Sequence, residues 1–237
     1  IDEKDMPGKG LSAYEQIEAI HRGEIKGMIS ICFNPLVSLP NNNFVREALE
    51  KLEFYVCIDT FLSETARHAD IVMAGSLHEE EEGTVTTAEG RVVKINEAIT
   101  PPKNTRRDGE IIMELAARLE EKDKFNYATS EDIFNELRVA SKGGTADYYG
   151  ITYKKVVDNM GIFWPCKTLD HPGTPRLWED KKFATADQKA HFNPVSYRPA
   201  SEMPNKEFPV VLTTGRVVSQ YLSGSSTRRI GKLIDQY

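Results

Sequence analysis

Residues 54–74 read FYVCIDTFLSETARHADIVMA. The run Phe54 to Ile58 has no charged interruption, which predicts a strand covered on both faces and therefore a parallel sheet with helices above and below. Asp59 closes that run. In an open α/β sheet, ligands bind beyond the carboxyl ends of the strands, and an acid there can accept hydrogen bonds from a ribose or a base edge. Ser63 and Thr65 are close enough to cap a short helix after Asp59 or to touch such a ligand, and helix capping is the alternative role for Asp59 itself. The second apolar run, Asp70 to Ala74, predicts another strand.

Towards the N-terminus, Ser12 can cap a helix in which Tyr14, Ile17 and Ile20 recur at helical spacing, with Gly23 as its stop. Met28 to Phe33 predicts a first buried strand that Asn34-Pro35 breaks, because proline lacks a backbone donor and pushes its predecessor out of helical geometry. Phe44, Val45, Ala48, Leu49 and Leu52 share a helix face, so residues 28–58 read as strand, crossover helix and parallel strand. Two ligand loops follow from this, Asn34 to Ser38 and Asp59 to Thr65.

Towards the C-terminus, His78 to Gly83 reads HEEEEG. It matches no metal-loop spacing and is expected to be a solvated loop rather than a calcium or zinc site. Alternation from Thr84 to Asn96 around Ala88-Glu89-Gly90 predicts a hairpin. Asp108 and Ser130 are each placed to cap a helix. From Lys142 to Pro204 prolines and glycines interrupt every segment but Tyr153 to Met160, as expected of a stretch that wraps a neighbour rather than building its own core. Phe208 to Leu212 predicts a strand running into Thr214-Gly215-Arg216. Ser223-Gly224-Ser225, with Thr227 and Arg228, is a candidate phosphate cradle, since hydroxyls, free backbone donors and the arginine fork all match phosphate oxygens.

The 237 residues are 40% hydrophobic, enough to fill a core. Thirty basic and 36 acidic side chains give a net charge of −6, which disfavours nucleic acid and anionic membrane as partners. No apolar run approaches a membrane span and no secretory signal stands at the start, so a cytoplasmic location is expected. Cys32, Cys57 and Cys166 show no paired spacing and are expected to be thiols. A start at Ile1 and a stop at Tyr237, inside a newly begun amphipathic pattern, are expected of a piece of a longer protein.

In order along the chain, MISICFNPLVSLP, CIDTFLSETARHADIVM, EEGTVTTAEGRV, GIFWPCKTLDHPGTPRLW and LTTGRVVSQYLSGSSTRRI resemble segments of the molybdopterin oxidoreductases. These enzymes carry two guanine dinucleotide pterins around one molybdenum, and include assimilatory nitrate reductases and formate dehydrogenases. The resemblance implies a bis-molybdopterin guanine dinucleotide cofactor in the parent protein. Asn34 and Pro35 would lie against its diphosphate, Asp59, Thr60 and Ser63 near its guanosine, and Thr214, Gly215, Arg216, Ser223, Gly224, Ser225, Thr227 and Arg228 at the opening of a C-terminal dinucleotide-binding domain. The implied fold is α/β: an open parallel sheet flanked by helices, a β-hairpin excursion towards the iron–sulfur region, an irregular proline-rich wrapping segment and the start of a second β-rich domain. The expected boundaries are 1–123, 124–205 and 206–237.

The family's iron–sulfur cysteines, molybdenum-ligating side chain and substrate-polarising residues would lie upstream of this sequence, so no catalytic or metal residue is assigned here. The implied partners are the remainder of the parent catalytic subunit and an electron-transfer subunit or ferredoxin. Thr87 stands where the family usually has Asn. Gln220-Tyr221-Leu222-Ser223 replaces the His-Trp-His-Thr run associated with many formate dehydrogenases, which tilts the expectation towards nitrate reductase. Formate dehydrogenase is the first alternative, and a non-redox nucleotide-binding or interaction module is the second.

Three scattered cysteines cannot hold an iron–sulfur cluster. The purified chain is therefore expected to be colourless and free of stoichiometric iron and molybdenum; a brown preparation would overturn this.

Overall fold

Ser12 opens the first helix of the computed structural model, which describes residues 8–235. Its hydroxyl accepts from the Glu15 N–H while the Glu15 carboxylate accepts from the Ser12 N–H, closing a capping box on α1 (Ala13–His21). Gly23, at φ +77°, ends the helix in the left-handed conformation that glycine adopts without strain. The termini expected to be cut, Ile1 and Tyr237, lie outside the described residues.

Three parallel strands follow, β1 (Gly27–Ile31), β2 (Phe54–Asp59) and β3 (Ile71–Ala74), in the order β1-β2-β3. The chain crosses from β1 to β2 through α2 (Pro35–Ser38) and α3 (Asn42–Leu49). β1 stops two residues earlier than expected because Cys32 takes a left-handed φ of +50°, and Pro35, expected only to break the strand, also opens a helical turn for which its fixed φ is suited. One sheet face is dry: Ile17 and Ile20 of α1, Leu36 of α2 and Val45, Ala48 and Leu49 of α3 pack on Tyr55 and Cys57 of β2.

The opposite face departs from the expectation of two-sided cover. Ile29, Phe54 and Ile71 are each about half exposed, and with Val56, Ile58 and Met73 they line a cavity of about 450 Å³ against α4 (Asp108–Arg118). α4 presses Ile111 inward where Ile58 is buried, but leaves the rest of that face open. The expected helix after Asp59 is also absent; residues 60–65 form a turn, followed by a single 3-10 turn at Ala66–His68.

A second, antiparallel sheet pairs β4 (Gly83–Thr86) with β5 (Arg91–Ile95), and β5 with β6 (Ile162–Phe163). Thr87 accepts the Arg91 N–H on its hydroxyl and so closes the hairpin turn. The core beneath this sheet joins Val92 to Phe134 of α5 (Ser130–Ala140), Tyr153 and Val156 of α6 (Tyr153–Asp158), and Ile151, Ile162 and Cys166. The early part of the proline-rich stretch thus contributes to a core, which its prolines and glycines concealed. The cap of α5 is Thr129 rather than Ser130, and Asp108 is the first residue of α4 rather than its cap.

All these elements lie in a unit that ends at Pro175; a second unit begins at Arg176. In the second, Phe192, Val195, Tyr197 and Leu212 are almost fully exposed, and the strand expected at Phe208 to Leu212 does not form. Five apolar residues without a partner strand leave every ladder hydrogen bond unmade. A single helical turn, α7 (Gly231–Ile234), follows near its end. Among the described residues no helix is long and apolar enough to cross a membrane.

Such an exposed segment opens at little free-energy cost. Limited proteolysis is expected to cut first between residues 176 and 212, leaving a resistant core; initial cuts within residues 27–74 or 148–166 would contradict the packing described.

Candidate functional site

Parallel pairing brings three chain exits to one edge. Ile31 is level with Ile58, and Asp59 with Ala74, so residues 32–35, 59–63 and 75–76 leave the sheet side by side. A fourth segment joins them: the Arg106 N–H donates to the Ala74 carbonyl at 3.0 Å, which extends the sheet beside β3 and delivers Asp108 to the strand ends.

Asp59 is held by its own turn. Its Oδ1 accepts from the Thr60 N–H at 2.8 Å and its Oδ2 from the Ser63 hydroxyl at 3.0 Å, so the capping alternative gives way to a turn-ordering role. Each carboxylate oxygen retains a lone pair for a further donor. Thr60 is part-buried, whereas Ser63 is buried and also accepts from the Ala66 N–H, which gives it a structural part. Asn34 and Pro35 are buried at the start of α2, and the Asn34 side chain meets Glu64 and Thr65 across the two loops.

Asp108 was read from the sequence as a cap, and nothing in the helical periodicity signals its place at the strand ends. Its Oδ2 accepts from the Cys32 thiol at 3.4 Å, while its Oδ1 is buried without a partner. A side chain at Gly75 would collide with that oxygen, its Cβ falling 2.6 Å away, so glycine there is what admits the carboxylate. Glu81 lies close by, accepting from Ser76 and, at 3.4 Å, from the Asp108 N–H. Burial raises the Asp108 carboxyl above the usual aspartate range, opposed by the Cys32 thiol and reinforced by the charges of Glu81 and Asp59. Cys32 is exposed as a residue, yet desolvation of its thiol and the Asp108 charge push it up to about 12, so it remains a protonated donor.

The glutamate loop expected to be merely solvated is tied down. Glu80 is buried with its carboxylate on the Leu77 N–H, Glu81 meets Ser76, and Glu82 accepts from Ser130. Among the described residues no three His, Cys, Asp or Glu side chains gather as a metal site.

Within the second unit, residues 223–228 close on themselves. Gly224 adopts φ +75° with the Arg228 side chain against it, Ser223 and Ser225 share a hydroxyl contact of 2.9 Å, and Thr227 donates to Gln220 at 2.7 Å. Thr214, Gly215 and Arg216 are exposed and in no regular element.

A family profile described as molybdopterin oxidoreductase matches residues 3–118, the stretch that builds the three strands, their exits and Asp108. The chain belongs to the molybdopterin oxidoreductase family. It is 48% identical over 236 residues to the assimilatory nitrate reductase catalytic subunit of Bacillus subtilis, covering 98% of this chain and 33% of that protein. It is 41% identical over 230 residues to a formate dehydrogenase subunit alpha of Methanocaldococcus jannaschii, covering 97% and 33%. Among solved structures, acetylene hydratase from Pelobacter acetylenicus aligns with a TM-score of 0.47 at 20% identity, covering 50% of this chain and 17% of that one. This molybdopterin oxidoreductase chain therefore spans about a third of the length of the curated relatives it matches.

The raised Asp108 carboxyl gives a signed prediction. A carboxyl whose folded pKa lies above its unfolded value favours folding only while protonated, and that contribution is lost as pH rises through the folded pKa. Asp108→Asn is therefore expected to raise Tm at about pH 7, with the gain shrinking as pH falls through the raised folded pKa and gone below the unfolded value of about 4. A pH-independent difference in thermal scans would show that the charge of Asp108 carries no cost.

Proposed function

We propose that this chain is the dinucleotide-binding part of the catalytic subunit of a molybdenum nitrate reductase, whose parent enzyme reduces nitrate to nitrite by two electrons. The observation that carries the reading is the pair of carboxylates at the strand ends, Asp59 with unused acceptor capacity on both oxygens and Asp108 near enough to feel its charge. Guanine offers N1–H and N2–H₂ donors on one edge, and carboxylates are acceptors only. The identity to a nitrate reductase subunit, 48% against 41% for a formate dehydrogenase subunit, and the Gln220-Tyr221-Leu222-Ser223 run favour nitrate. The second of those relatives keeps formate dehydrogenase as the alternative.

In this reading Asp59, Thr60 and Asp108 take the guanosine, the Asn34-Pro35 loop faces the diphosphate, and residues 214–216 and 223–228 open the second dinucleotide-binding domain. The bound cofactor supplies the redox chemistry, while the chain's own task is to hold and orient it. Cluster ligands come from outside the chain, which has only three cysteines. The half-exposed face of β1 to β3 and the exposed segment after Pro175 fit a polypeptide that packs against the remainder of a larger subunit, to which an electron-transfer subunit or ferredoxin delivers electrons.

GDP is expected to bind the chain better than ADP, because adenine turns an acceptor towards the carboxylates and lacks the C2 amino group. A lost charge-assisted hydrogen bond amounts to about 1.5–3 kcal/mol, roughly ten to a hundredfold in affinity. Calorimetry with both nucleotides on wild type and Asp59→Ala should show the preference and its loss. Equal affinities in the wild type would remove Asp59 from a guanine site.

A further inference from the structure

The loops after β1 and β2 are joined by one directional chain of hydrogen bonds. The Leu36 N–H donates to the Thr65 hydroxyl at 3.1 Å, that hydroxyl donates to Asn34 Oδ1 at 2.6 Å, and Asn34 Nδ2 donates to Glu64 Oε2 at 2.9 Å. Thr65 is fully buried and Asn34 is 6% exposed. The single hydroxyl proton of Thr65 is committed to Asn34, which fixes the amide orientation: its oxygen faces Thr65 and its nitrogen faces the Glu64 carboxylate. The Asn34 carbonyl is engaged as well, accepting the Val37 and Ser38 N–H groups inside α2.

We infer that Asn34, Thr65 and Glu64 form a clasp that holds the two ligand loops in register before any ligand arrives, and that Asn34 is a positioning residue rather than a contact of the diphosphate. The inference rests on the nucleotide-binding reading for its functional consequence, but the clasp itself is a property of the free chain. An amide aimed at phosphate oxygens would keep its N–H groups for them; here the amide is buried and one of those donors goes to a carboxylate, the group that most repels phosphate. The clasp closes on the loop that contains Ser63, whose hydroxyl holds Asp59 Oδ2, so it fixes where the base-reading carboxylate stands relative to the β1 loop. Asp59 keeps its own two local donors whether or not the clasp is closed.

Thr65→Val preserves shape and removes both bonds of the hydroxyl, and Thr65→Ser restores the hydroxyl. In the free chain, amide hydrogen exchange at Leu36 is expected to speed up roughly tenfold or more in Thr65→Val and to return towards wild type in Thr65→Ser, since the amide loses its acceptor. With GDP and ADP as probes, Thr65→Val should weaken both by about tenfold while leaving their ratio unchanged, the ratio being the property of Asp59. Glu64→Ala, at the exposed end of the clasp, should give a smaller change in the same direction and serves if the buried variant does not fold. Unchanged exchange at Leu36 would overturn the clasp. Full GDP affinity in a Thr65→Val chain with fast exchange would overturn its role in positioning. If wild type binds neither nucleotide, the nucleotide-site reading fails while the exchange data still decide whether the clasp exists.

Discussion

The central strand is hydrogen-bonded in parallel to both of its neighbours, and every feature of the site depends on that pairing. Parallel strands end on the same edge, so the chain must leave the sheet three times within a few ångströms, and the residues at those exits meet whatever their distance in sequence. An antiparallel β2 would put Asp59 at the opposite edge from Asn34 and dissolve the clasp. The pairing of Arg106 along β3 extends the same constraint to a fourth segment and carries Asp108 to the exits.

Local chemistry made the first layer of this readable. The uninterrupted apolar run of β2, the Ser12 capping box and the turn at Gly90 each follow from a few neighbouring residues, and each stands close to where the sequence puts it. What was missed depends on contacts between distant segments. Asp108 looks like any acid at a helix start until the Gly75 backbone opens room for it beside Cys32. The glutamates at 80–82 look solvated because charge ordinarily is, yet Glu80 and Glu81 satisfy a backbone and a hydroxyl donor close by in the chain and Glu82 accepts from Ser130 of α5. Phe208 to Leu212 carries the composition of a strand, but composition supplies no partner, and a strand without one does not form.

The two carboxylates are held in different ways. Asp59 is oriented by donors from its own turn, so its position is set by local geometry and is robust. Asp108 is oriented by crowding: a thiol on one oxygen, a bare glycine beside the other, and two further carboxylates near enough to raise its pKa. An acid kept in such surroundings is harder to ionise than a solvated one, because burial and the neighbouring carboxylates oppose its charge.

That asymmetry decides how a ligand with two adjacent donors would be felt. A donor reaching Asp59 adds a third hydrogen bond to a group already well served, and contributes mainly selectivity. A donor reaching Asp108 at Oδ2, since Oδ1 is enclosed, would ease a negative charge that burial, Glu81 and Asp59 all oppose, and so would contribute stability as well as affinity. The same acid that weakens the empty fold would therefore strengthen the occupied one. Coupling of this kind would make the strand-end region firmer when filled, with the Asn34–Thr65–Glu64 bonds holding the β1 and β2 loops together and the Arg106–Ala74 pairing holding Asp108 beside them.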